Sequence, residues 1–210
     1  MKKKITSFFS IVLPNNKINL FTIFIVILGI ISGSIFLVIL NSNDKELVIS
    51  KIVTFMTNIN TNKINNLDAL KNSLIENSLF IFIIWILGFS IMGIVINIFL
   101  TYLRSFIIGF TVAAFILTYK YLGILSSFIY VFPTSIFNLV SIIIISVYSY
   151  TFSILLFRSI FNKANNIILK NYIKKYFLIF VICIGVSIIS SLSEAFLLPS
   201  ILKLVIKLFI

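Results

Sequence analysis

Residues 78–100 read SLFIFIIWILGFSIMGIVINIFL, a stretch without a single charge. At about 1.5 Å of rise per helical residue, such a run crosses a hydrocarbon core of roughly 30 Å. Comparable apolar runs occupy residues 19–40, 105–120, 133–157 and 176–198, each set off by a short polar gap. In lipid, every unpaired backbone amide or carbonyl costs several kcal/mol, so the runs must be helices or a closed barrel, and the alternation of a barrel strand is absent. The expected fold is all-α: one polytopic transmembrane bundle over residues 1–210 with five spans, and an outer loop over residues 41–77.

Composition agrees. The chain is 60% hydrophobic and 10% charged, with a mean hydropathy of +1.21, well outside the range of soluble domains. Ile, Phe, Asn and Lys are over-used together, as an AT-rich coding bias would produce, so the net charge of +12 overstates any selected basic character. The basic residues sit in gaps between apolar runs and form no continuous patch with interleaved aromatics, which argues against a nucleic-acid partner.

They serve orientation better. With a cytoplasmic N-terminus, the inner face collects Lys2, Lys3, Lys4, Lys17, Arg104, Arg158, Lys163, Lys170, Lys174 and Lys175 and no acidic residue. The outer face then mixes Lys45, Lys51, Lys63, Lys71, Lys120, Lys203 and Lys207 with Asp44, Glu46, Asp68, Glu76 and Glu194. Without a crossing at residues 105–120, the basic block from Arg158 to Lys175 would face outward. The first run is too long for a signal-peptide core and is expected to stay as an anchor. Before it, Lys2, Lys3 and Lys4 with Phe8, Phe9, Ile11 and Leu13 make either a leaflet-binding segment or a plain basic flank. The implied location is a cell membrane, multi-pass, with the C-terminus outside and lipid as the surrounding partner.

Residues 121–132 are apolar but short for a span and end at Pro133, which disfavours helical geometry at the residue before it. Two readings stay open: a re-entrant or interfacial helix before Pro133, or one long kinked helix over residues 121–157.

Catalysis has little to work with. The chain has no His, which excludes imidazole metal sites and the usual hydrolytic triads. Its one cysteine, Cys183, falls inside the last apolar run and reads as packing. Asp44, Glu46, Asp68 and Glu76 alternate with lysines, as a solvated loop does. The expectation is a protein that is not an enzyme and has no catalytic residue, cofactor or metal site.

Small residues within the spans say more. Gly29 and Gly33 form a GxxxG pair, Ser105, Gly109 and Ala113 repeat every fourth position, and Gly88 and Gly93 thin the second run. Such faces let backbones approach, either within one chain or in a homo-oligomer or partner contact. Glu194, in Ser193-Glu194-Ala195-Phe196-Leu197-Leu198-Pro199, is the one acidic residue in or beside a span. It reads as a contact to backbone amides or hydroxyls near the outer boundary, as interfacial exposure, or as a coupling ion site; the last lacks a second acidic residue in another span.

In the outer loop, Ser42, Asn43 or Asp44 can cap a helix whose Ile49, Ile52, Val53 and Met56 share one face. Asn66 can cap a second helix, with Leu67, Leu70 and Leu74 aligned, that runs into the second span. The loop is too short for its own core, so its apolar stripes need lipid, the bundle or another protein. Ile49, Val53 and Met56 are the candidate partner contacts.

The run Trp85-Ile86-Leu87-Gly88-Phe89-Ser90-Ile91-Met92-Gly93, followed by Phe106-Ile107-Ile108-Gly109-Phe110-Thr111-Val112, resembles the stage II sporulation protein M family, and Glu194-Ala195-Phe196 with Pro199 resembles that family's end. The resemblance covers residues 20–199. It implies a five-span plan and a role in engulfment of the forespore, as a non-enzymatic scaffold holding two peptidoglycan-degrading partners, stage II sporulation proteins D and P. It implies the bacterial cell membrane as location, and its matching stretches contain Trp85, Gly88, Gly93, Gly109 and Glu194, which with Pro133 are the candidate packing or partner positions. The competing class is a transporter or permease component, which a broken segment at Pro133 and Glu194 would suit, although no internal repeat and no nucleotide-binding loop accompany it.

Overall fold

The computed structural model describes residues 16–61, 65–162 and 166–209; for residues 132–134, 161–162, 166–170 and 204–209 the backbone alone is described. The basic flank therefore lies outside the described residues as far as residue 15. Among the described residues there are seven α-helices and no strand. These are α1 (Asn16–Ile39), α2 (Ser42–Asn60), α3 (Asn66–Leu87), α4 (Gly93–Tyr119), α5 (Tyr121–Asn162), α6 (Asn166–Leu192) and α7 (Leu198–Phe209), with a π turn at Ser193–Leu197 joining α6 to α7. Five helical segments are long and apolar enough to cross a membrane: α1, α3, α4, Ser135–Ile160 of α5 and Asn171–Lys203. The all-α multi-span bundle is thus the observed fold.

The opening stretch does not form one span. Its polypeptide turns back over residues 88–92, so residues 78–87 finish α3 and residues 93–100 begin α4, and the crossing expected at 105–120 starts at Gly93 instead. The turn is invisible to hydropathy because its residues are small or apolar and its polar backbone groups are satisfied by local bonds and by a hydroxyl from a distant helix. Phe89 N–H donates to the Ile86 carbonyl at 3.0 Å and Ser90 N–H to the Leu87 carbonyl at 3.0 Å. From α5, the Ser153 hydroxyl closes the Gly88 and Ser90 carbonyls at 2.8 and 3.1 Å. Gly93 starts α4 so close to the Leu87 carbonyl that a Cβ would overlap it. The second helix of the loop does run into the span as expected, with Asn65, one residue earlier than expected, as its cap: Leu67 N–H donates to Asn65 Oδ1 at 3.1 Å.

Of the two readings at Pro133, the structure has the long helix. Helix α5 continues through residue 133 for 42 residues, roughly 63 Å at 1.5 Å per residue, about twice a hydrocarbon core. It is also the central helix, packed on α1, α3, α4, α6 and α7. Its buried face combines Ile142, Ile145, Tyr148 and Phe152 with Ser141, Ser146, Ser149 and Ser153. The apolar members join Ile81, Ile84, Tyr176, Ile179 and Cys183 in the main core. The hydroxyls zip it to its neighbours: Ser146 bonds Thr101 Oγ1 at 2.9 Å, Ser149 donates to the Ile84 carbonyl at 3.1 Å and is itself bonded by the Asn97 amide. Serines substitute for interlocking apolar side chains because hydrocarbon offers no water to compete for them.

Away from the turn, α2, the first part of α5 and α7 form a cap. Met56 and Ile59 of α2 are buried against Phe115 of α4 and Leu198 and Leu202 of α7, with Tyr130 of α5 packed on Phe55 and Phe115.

Candidate functional site

Helices α1 and α4 make the most extensive contact of the bundle. A Cβ on Gly29 would lie 2.7 Å from Ser105 Cβ and from the Tyr102 carbonyl, while one on Gly33 or Gly109 would overlap the carbonyls of Phe106 and Ile30. Ser34 Oγ donates to the Gly109 carbonyl at 3.1 Å, and Ser32 and the Tyr102 hydroxyl bond at 2.7 Å. The two small-residue faces singled out in the sequence are therefore each other's partners within one chain, with Ala113 half-buried on the same face.

Trp85 anchors an aromatic cluster at the turn side. It stacks on Phe180 at 4.5 Å and meets Phe89, Phe177 and Tyr176, the composition expected near a membrane interface. Gly88 makes room for the Tyr176 and Ser149 hydroxyls, and Tyr176 donates to the Trp85 carbonyl at 2.7 Å. Of Pro133 only the backbone is described. On α2, Val53 is exposed, Ile49 is half-buried, and Met56 is buried in the chain's own cap. Met56 is thus corrected from partner contact to core, because the helix turns its Ile52–Met56–Ile59 side to the bundle. The Asn41 side chain makes no capping bond to this helix.

The largest departure concerns charge. Arg104, expected at the inner face, lies 11 residues into α4, roughly 16 Å of helix from the turn. Glu76, expected in the solvated loop, is in α3, and the two form an ion pair at 2.5 Å. Arg104 also donates to Asn77 Oδ1 at 2.6 Å and lies over the Phe80 ring at 5.6 Å. Helices α3 and α4 touch little otherwise, and the space between them is a cavity of about 130 Å³ lined by Ser73, Glu76, Asn77, Arg104, Ser135, Asn138 and Glu194 among others. Asn138 of α5 donates to Asn77 Oδ1 at 2.6 Å, Asn77 donates to Ser73 and Ser191 at 3.1 and 3.2 Å, and Ser73 donates to Glu194 at 2.5 Å. Glu194 thus has hydroxyl company as one reading had it, and it also has a second carboxylate across the cavity, which the sequence reading denied.

The π turn places it there. In an α-helix the ring of Pro199 would strike the carbonyl of Ala195, and widening the turn before it avoids that clash. Among the described residues no cluster of His, Cys, Asp and Glu fits a metal ion, and Cys183 is buried, donating to the Ser141 carbonyl at 3.5 Å.

A family model described as stage II sporulation protein M matches residues 20–199, most of the chain. The chain belongs to the stage II sporulation protein M family. No curated protein and no solved structure matches it. As a member of this family it is a sporulation-related, multi-pass membrane protein. The matched residues take in most of the first and last spans and all of the other three, the stretch from Trp85 through Gly109, and the π turn with Glu194, so the cavity lies wholly inside the family region.

Proposed function

We propose that the chain is a non-enzymatic membrane scaffold of the engulfment machinery, which recruits and positions peptidoglycan-degrading partners at the septal membrane, stage II sporulation proteins D and P by family resemblance. The observation that carries this reading is the cap. Helix α2 is anchored by Met56 and Ile59, while Val53, at 40% exposure, lies off that face and Leu47, at 62%, lines the rim of a groove formed with Phe110, Thr111 and Ala114 of α4. An anchored helix with exposed apolar side chains on either side of its buried face suits docking, since little ordering entropy is lost on contact. In this reading the N-terminus is cytoplasmic and the cap faces the wall.

The test is a pull-down from detergent-solubilised sporulating cells that express Leu47→Ser/Val53→Ser. Burial of an aliphatic side chain is worth about 1.5–3 kcal/mol, so the double change should weaken a docked partner by roughly two to four decades. Normal insertion with loss of the wall-degrading partners is expected; full recovery of both partners would sink the reading.

A transporter or permease component is the second reading, and the cavity favours it, because charged groups at span depth are what carriers use. Substrate uptake by purified protein in liposomes, abolished by Glu194→Gln, would replace the scaffold reading.

A further inference from the structure

Helix α3 is at odds with lipid surroundings. Of the five spans it is the least apolar and also the least buried, whereas polar side chains in a span belong on faces turned to protein or to a water-filled cavity. The conflict sits on one stripe. Asp68, Asn72 and Glu76 recur every fourth residue, share one face of the helix and are all exposed. The stripe runs from the Asn66 end of α3 down to mid-depth: Gly29 backs onto Tyr102 and Ser105, so Arg104 and the Glu76 it holds are level with the middle of α1, which has no charge from Ile18 to Leu40. Headgroups lie roughly 15 Å from that level. Within the ion pair the carboxylate is the outward member, with the Glu76 side chain 66% exposed and that of Arg104 16%. Glu76 Oε1 takes the guanidinium, while Oε2 and the Asn72 side chain have no partner among the described residues.

We propose that this face of α3 seats a transmembrane helix of a second membrane protein, one that brings a Lys or Arg at mid-span to Glu76 and a hydrogen-bonding side chain, about one turn nearer the Asn66 end, to Asn72. Charge complementarity selects this occupant. Acyl chains supply no donor, and a carboxylate turned to them is costly. A second copy related by a two-fold axis would present the same surface, and because Glu76 stands outside Arg104, two carboxylates would meet at mid-depth. A helix with a basic side chain instead places Glu76 between two cations and gives Oε2 its donor. Ile75 and Leu79, 54% and 52% exposed, flank the stripe and supply the van der Waals contact on which helix association in lipid depends. The inference stands apart from the scaffold reading, since it uses α3 and not the cap, and the variants that test the two do not overlap.

The test puts the photo-crosslinking residue p-benzoylphenylalanine in place of Ile75 or of Leu79 in the full-length protein, expressed in the cells that normally make it, with Ile27 of α1, 50% exposed, as the control position. After irradiation, the attachment point in each adduct is mapped by mass spectrometry. An adduct to the transmembrane segment of a second protein is expected, attached within about one helical turn of a Lys or Arg. Its yield should fall at least about tenfold in Glu76→Gln, where a charge-assisted bond is lost, and about threefold in Asn72→Leu, where one interhelical hydrogen bond is lost. Asn72→Leu keeps the Arg104–Glu76 pair and makes α3 more apolar, so it carries the test if Glu76→Gln does not accumulate. Adducts to lipid alone, to a second copy of the chain, to segments outside the membrane or to a span with no basic residue near the attachment point would each overturn the assignment. Equal capture at Ile27, or a yield unchanged in the variants, would overturn it too.

Discussion

At Gly109 a single hydrogen atom sets how close two helices come. A Cβ there would overlap the Ile30 carbonyl, which belongs to backbone and cannot rotate aside, whereas a Cβ on Gly185 would meet nothing within 4 Å. Gly109→Ala should therefore destabilise the protein by about 1–3 kcal/mol through overpacking, while Gly185→Ala should be neutral or gain up to about 1 kcal/mol from helix propensity. Thermal unfolding of the two variants in one detergent measures the contrast, and equal stability would show that the α1–α4 contact yields freely. These glycines were legible in the sequence because their four-residue spacing is a local pattern. Arg104 and Glu76 were not: each lies just outside the apolar run at 78–100, whose ends are not helix ends, and only the spatial pairing at 2.5 Å reveals what they do. Asn138 was missed for a related reason, since one Asn in an Asn-rich chain carries no signal until its neighbours across the bundle are known.

Among the elements, α2 and α3 show what length arithmetic can recover. The helix starting near Asn66 was legible from its cap and its Leu67, Leu70, Leu74 stripe, and its 22 residues end at Leu87. Counting a span from that cap would have put the turn at Gly88; counting from the first unbroken apolar residue puts it after Leu100. Helix α2 was legible as amphipathic, but its own stripe could not say whether bundle or partner covers it. The structure divides the stripe. Ile59, 1% exposed, lies inside the cap, and Val53 lies outside it. Ile59→Ser should cost about 1.5–3 kcal/mol of burial and loosen the cap, whereas Val53→Ser should leave stability nearly unchanged. Limited proteolysis of proteoliposomes should accordingly cut the 40–66 region faster in Ile59→Ser alone. Identical cleavage of the two variants would show that α2 is not held by that contact.

For the whole molecule, span number was easy to read and connectivity was hard, because hydropathy counts apolar length while turns are decided by side chains arriving from distant helices, such as Ser153 at Gly88. Losing Arg104 from the inner set leaves the charge asymmetry resting on both flanks of the bundle, and it still favours a cytoplasmic N-terminus. In a Cys183→Ser background, Asn60→Cys on the cap side should react with a membrane-impermeant maleimide in intact cells, and Met92→Cys at the exposed turn should react only after the cells are opened. The reverse pattern would invert the orientation. A last consequence comes from Lys120, the single residue between α4 and α5, held at φ 51°. One residue of chain reaches at most about 3.6 Å, less than one helical turn, so the two helices cannot slip past each other by a full turn at that end. The alignment of Thr101 with Ser146 and of Asn97 with Ser149 is therefore fixed from the far end, as the stop of a zipper fixes every tooth behind it.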